Sequence, residues 1–169
     1  MSHSTLIKSV PIKDLQALRQ AVAELAQKGV RCTLQQNHEP RMYYPQQLKK
    51  DLDRQTAEAD YVLCLHDAYY DVALLRNADG QFEPVFDDYG SPSYSVPATQ
   101  TGKGPIRQFI GVPVPDGTPY DNERLSYSIG KFLQLYTKHA TINAARAQGY
   151  MIENTEVDAK GNIQITIDV

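Results

Sequence analysis

Apolar residues recur along this chain with two different periods, and the alternation between them predicts its elements. Leu15, Leu18, Val22 and Leu25 return at helical spacing after Asp14, whose carboxylate suits a helix N-cap, and Gly29 closes that helix. Thr5 to Val10 reads as a short strand before it. Val30, Cys32 and Leu34 alternate with Arg31 and Thr33 after it, as in a half-buried strand. Tyr61 to Leu65, Tyr70 to Leu75 and Phe82 to Phe86 are three further strand-like runs, the last two joined by a turn at Asn77-Ala78-Asp79-Gly80. They form an antiparallel meander. Pro84 carries no amide proton for a ladder, so its strand lies at an edge or is interrupted there.

The last third is the clearest. A long helix from Asn122 to Gly149 places Leu125, Ile129, Phe132, Tyr136, His139 and Asn143 on one stripe, with Leu133 and Ile142 beside it. Gly130 lowers helix propensity by roughly 1 kcal/mol relative to Ala, which implies close approach of another backbone. A closing hairpin alternates Ile163, Ile165 and Ile167 with Gln164, Thr166 and Asp168, turning through Asp158 to Gly161, and its apolar face needs a helix to cover it. Two segments lack such a signal. Gln35 to Ala59 reads as a loop with one short helix. Ser91 to Asp121 holds six of the ten prolines and four glycines and reads as a long insertion leaving the core, with a short strand at Arg107 to Val112. Together these elements predict an α+β fold: a mainly antiparallel sheet, two principal helices packed on one face, a C-terminal β-hairpin and a long Pro/Gly-rich insertion at about 91–121, all in one domain of 169 residues.

Composition narrows the function classes. No run approaches the ~20 apolar residues of a membrane span, and no basic-then-apolar leader opens the chain, so the expected location is the cytoplasm. Cys32 and Cys64 each sit in a strand-like run and are expected as free thiols. The net charge is −3 but unevenly spread: residues 1–54 carry nine Lys/Arg and five Asp/Glu, whereas residues 55–90 carry one Arg and eight acids.

Candidate chemistry is sparse. His3, His38, His66, His139 and the two cysteines are too scattered for the three or four ligands of a zinc site, so neither a metal nor a cofactor is expected. Cys64 and His66 share a strand face, yet residues two apart stand roughly 6.5 to 7 Å from each other, too far for direct proton transfer. Asp87 and Asp88 are adjacent and point to opposite faces, and Gly102-Lys103-Gly104 lacks the rest of a phosphate loop. Tyr136 and His139, one turn apart on the apolar stripe, form a candidate ligand-binding or pH-sensitive pair, set against a core histidine bonded to a carbonyl or to Tyr136. Arg41, Tyr43, Tyr44, Lys49 and Lys50 mix cations and aromatics as single-strand nucleic-acid sites do, although a pI of about 5.8 lacks the usual electrostatic footprint. Tyr94, Arg107, Phe109 and Tyr120 are candidate anchors for a protein partner.

Several short runs occur in a recognisable order: Met1-Ser2-His3 with Ile7-Lys8, Tyr70-Asp71-Val72-Ala73 leading to Asp79-Gly80-Gln81-Phe82-Glu83, Tyr136 to His139 followed by Gly149-Tyr150, and Gly161-Asn162-Ile163. In this order they resemble the hypothetical chloroplast frame thirty-five family, also known as the domain of unknown function twelve fifty-seven, found in cyanobacteria, algal plastids and bacteriophages. The similarity covers most of residues 1–90 and 122–169. It implies a small soluble protein, in a phage case acting in the host cytoplasm, with an AAA-type ATPase or a host factor as partner. The leading expectation is therefore a non-catalytic protein-binding or accessory factor. The alternatives are a nucleic-acid or nucleotide-binding protein and a small enzyme using a histidine general base.

Overall fold

In the computed structural model, which describes residues 4–6, 11–42, 46–50, 53–88, 104–119, 122–158 and 162–168, the first half of the chain builds one antiparallel sheet. Its strands are β1 (Ser4–Leu6), β2 (Cys32–His38), β3 (Ala59–Leu65), β4 (Val72–Arg76) and β5 (Phe82–Asp87), in the order β1-β5-β4-β3-β2. The meander β3-β4-β5 forms its centre, and β1 adds to the far side of β5. The turn between β4 and β5 closes around Asn77: its carbonyl accepts from Gly80 N–H, its side-chain Oδ1 accepts from the amides of Asp79 and Gln81, and Gly80 takes φ +76°. Among the described residues β1 pairs as far as Leu6 opposite Val85, and Ile12 bridges to Phe82. Pro84 thus lies in a strand flanked by β1 and β4 rather than at an edge, and residues 7–10, where an interruption would fall, lie outside the described residues.

Helix α1 (Leu15–Gln27) starts where Asp14 accepts from Ala17 N–H at 2.9 Å, and it buries Ala17, Leu18, Ala21, Val22 and Leu25. Helix α5 (Gly130–Ala147) buries Phe132, Leu133, Leu135 and Tyr136. Both cover one sheet face, made by Tyr61, Leu63 and Leu65 of β3, Val72 and Leu74 of β4, and Phe82 and Phe86 of β5. The alternate residues Val62, Cys64, Ala73, Leu75 and Val85 point to the other face, where Met42 and Leu48 meet them. Leu48 belongs to α2 (Gln46–Lys50), the short helix expected within Gln35 to Ala59. Burial on both sides explains why β3 and β4 read as nearly continuous apolar runs.

The α+β architecture holds, with four local corrections. Strand β2 runs on to His38, beyond the apolar alternation, because its backbone keeps pairing with β3 after its side chains have become polar. The final helix is not continuous: α4 (Asn122–Ser126) passes through a 3₁₀ turn (Tyr127–Ile129) into α5. Residues 106–110 form a helix, α3 (Ile106–Ile110), rather than the expected strand at Arg107 to Val112. Ile106 and Ile110 are fully buried against the main core, Gly104 C=O accepts from Tyr69 N–H at 2.8 Å, and Val112 N–H donates to Tyr127 C=O at 2.9 Å. Residues 104–112 are therefore part of the body, not of an excursion outside it. Of the insertion at about 91–121, residues 91–103 and 120–121 lie outside the described residues.

Gly130 answers a packing demand, but from a side chain rather than the predicted backbone. A Cβ there would stand 2.4 Å from Val112 Cγ2. The terminal strands β6 (Met151–Val157) and β7 (Ile163–Asp168) pair only with each other among the described residues and lie against α5. No helix of the described residues is long and apolar enough to cross a membrane.

Candidate functional site

Three places in the fold gather the chemistry-bearing side chains, and two of them are occupied by internal structure. The first is the link between β3 and β4. Asp71 is 1% exposed; its carboxylate accepts from Arg41 Nε, from Arg41 Nη2 at 2.7 Å, from the Arg41 backbone amide at 2.9 Å and from Leu65 N–H at 3.0 Å. The same guanidinium donates to the carbonyls of Ala68, at 3.2 Å, and Leu65. Arg41 is thereby directed inward, which removes it from the expected nucleic-acid surface. Arg54 pairs with Asp60 at 3.2 Å, Lys49 and Lys50 are exposed on α2, and Tyr43 and Tyr44 lie outside the described residues. Among the described members of that cluster, Arg41 serves the fold while Lys49 and Lys50 stay on the surface.

The second place is the seam between α1 and α5. Tyr136 Oη accepts from the amides of Lys13 at 2.9 Å and Asp14 at 3.1 Å, satisfying donors just ahead of the first turn of α1. Asn143 Nδ2 donates to Asp14 Oδ2 and Gln20 Oε1. Farther along, Glu24 bonds Lys138 through one oxygen, while its other oxygen stands 3.5 Å from His139 Nε2. That last pair is buried without a hydrogen bond on either atom. Burial raises the Glu24 carboxyl, but the Lys138 hydrogen bond and the charges of Lys138, His139 and Lys28 outweigh it and hold Glu24 below its ordinary value. Burial pushes His139 down; the Glu24 carboxylate opposes this and Lys138 adds to it, leaving the imidazole below its ordinary value. Tyr136 and His139 therefore do different jobs and form no joint site, and the expected bond from His139 to Tyr136 or to a carbonyl is replaced by the approach to Glu24.

The thiols fit no nucleophilic role. Cys64 faces the second core cluster, and burial with the nearby Asp71 charge pushes it up to about 11. His66 is exposed at the strand end. Cys32 is also raised by burial, and its Sγ lies 3.6 Å from Val22 C=O. Both cysteines are free, and among the described residues no three His, Cys, Asp or Glu side chains gather as a metal would require. Of the proposed partner anchors, Phe109 packs against the main core and Arg107 reaches Asp88 at 3.7 Å; Tyr94 and Tyr120 lie outside the described residues.

The third place is open. Between α5 and β7 lies a groove of about 500 Å³, lined by Leu133, Gln134, Thr137, Lys138 and Thr141 on the helix and by Asn162, Ile163 and Ile165 on the hairpin. The register pairs Val157 with Ile163, Thr155 with Ile165 and Ile152 with Ile167, so these residues share the face turned to the helix. That face is only half covered: Ile163, Ile165 and Ile167 are half-buried, and Val157 is 66% exposed. The isoleucine alternation was visible in the sequence. The gap between hairpin and helix was not, because it depends on how far apart the two elements settle.

The chain matches no family model, no curated protein and no solved structure. The family resemblance stands on the residues quoted above alone. Of these, Tyr70, Asp71, Val72 and Ala73 are buried, Asp79 and Gly80 form a turn and Tyr136 secures α1, whereas Thr137, Lys138, Asn162 and Ile163 line the groove.

Proposed function

We propose that this is a non-catalytic accessory protein whose groove between α5 and β7 receives a short apolar segment of a partner protein. The half-covered isoleucine face carries this reading. A groove of about 500 Å³ falls within the usual range for ligand sites, and its apolar floor, rimmed by Thr137, Thr141, Gln134 and Asn162, has the mixture of burial and orienting polar groups that recognition uses. Its one cationic group, Lys138, is already bonded to Glu24, so the occupant is selected by shape and apolar surface rather than by charge. The resemblance to the chloroplast-frame family adds a partner class, an AAA-type ATPase or a host factor, and a cytoplasmic setting. The other two readings have less behind them: the cations of the nucleic-acid candidate are partly turned inward, and His139 is engaged between two helices.

Affinity purification with the intact chain beside Thr137→Trp tests the proposal. The indole fills the groove from an exposed helix position, so a specific companion of the wild-type chain is expected to be lost while the melting temperature is retained. A companion retained equally by both chains contradicts it.

A further inference from the structure

The outer backbone edge of β7 lies beside the groove that Ile163 and Ile165 help to line. Among the described residues β7 pairs with β6 alone, and α5 contacts both strands, so the helix lies across the hairpin's face and leaves the β7 edge lateral and uncovered. A two-stranded ribbon by itself is marginal in water, and a free edge is a template for another strand. Asp158 N–H donates to Asn162 C=O at 2.9 Å at the hairpin mouth. Strict alternation from that point turns the backbone groups of Gln164 and Thr166 toward β6, and those of Ile163, Ile165 and Ile167 outward.

The side chains on this edge lack the charges that usually guard one. From Ile163 to Ile167 β7 carries no charge, whereas β6 carries exposed Glu153 and Glu156. We infer that β7 pairs antiparallel with β7 of a second copy of this chain, the two-fold axis passing through Ile165. In that register Ile163 of one copy stands opposite Ile167 of the other, Gln164 opposite Thr166, and Asp168 opposite Asn162. Every outward amide meets an outward carbonyl, the isoleucines of both copies form one continuous apolar face, and each Asp168 meets an uncharged amide instead of another acid. No other register both sets isoleucine against isoleucine along the whole strand and matches the outward backbone groups. The contact is isologous and closes at two copies, since each copy presents the same β7 edge to the other.

This inference rests on the backbone edge of β7, although Ile163 and Ile165 also line the groove, and its readout is self-association alone, so its failure is distinguishable from that of the proposed partner. Sedimentation equilibrium of the purified full chain is expected to show a monomer–dimer equilibrium, with the heavier species at twice 19.0 kDa. Combining Gln164→Lys with Thr166→Lys sets lysine against lysine across the two-fold, while within the hairpin these exposed positions face Glu156 and Asn154, so the fold is retained. The double variant is expected to be monomeric with an unchanged circular dichroism spectrum. Ile165→Cys is expected to give a disulfide-linked homodimer under mild oxidation, because that position meets itself. A single 19.0 kDa species at every concentration, a dimer indifferent to the two lysines, or an Ile165→Cys chain that links only to a foreign protein overturns the inference.

Discussion

At the scale of single residues, Asp71 shows how charged side chains here are used for construction. Its carboxylate ties the Arg41 guanidinium, the Arg41 amide and the Leu65 amide at one point, joining β3, the link to β4 and the segment before α2. Removing one member of a buried pair leaves the other uncompensated, at a typical cost of about 3–5 kcal/mol. Asp71→Asn is expected to fall at or just below that range, since Arg41 retains 27% exposure, and urea denaturation measures it. A loss below about 1 kcal/mol would mean that the pair acts as an ordinary surface bridge. The sequence showed Arg41 beside Tyr43 and Tyr44 but could not show its turn toward a carboxylate thirty positions away. Cys64 repeats the lesson in reverse, since its strand position alone indicated burial. With its thiol pushed up to about 11, it is expected to stay unmodified by a thiol-specific disulfide reagent at pH 8 until the protein unfolds.

At the scale of elements, the α1–α5 seam combines a permanent contact with a titrating one. Tyr136→Phe removes the acceptor of two backbone amides and is expected to cost about 1–3 kcal/mol, measured by urea denaturation. Glu24 and His139 add a pH dependence of known sign. Both are held below their ordinary values of 4.5 and 6.5, so the unfolded chain binds more protons than the folded one just below each value. Stability is fully present above pH 6.5, declines as pH falls from there toward the lower folded value of His139, and declines again below 4.5 as Glu24 protonates. Melting temperature against pH for His139→Gln is expected to lose the upper decline and keep the lower; an unaltered profile would contradict this. The helical stripe made Tyr136, His139 and Asn143 legible as a group, but periodicity along one helix says nothing of what the facing helix presents. Gly130 marked a close approach for the same reason without naming Val112. The break at Tyr127–Ile129 was hidden because Val112 N–H, from a distant segment, donates to the carbonyl of Tyr127.

At the scale of the whole molecule, the two sheet faces are sealed by different means, α1 and α5 on one and Met42 with α2 on the other, and the hairpin is the element left half covered. The strand order of the meander and the covering helices were readable because they follow from period and turn residues. The inward course of residues 104–112 was not, because prolines and glycines there masked Ile106 and Ile110, two apolar residues four apart that form one buried helical face. With residues 104–112 folded into the body, the proposed docking surface is the groove between α5 and β7. Amide hydrogen exchange of the intact chain, alone and with the companion it captures, tests this most directly. The account predicts new protection at residues 133–141 of α5 and 162–167 of β7. Protection confined to residues 106–110 or 46–50, with the groove unchanged, would contradict it.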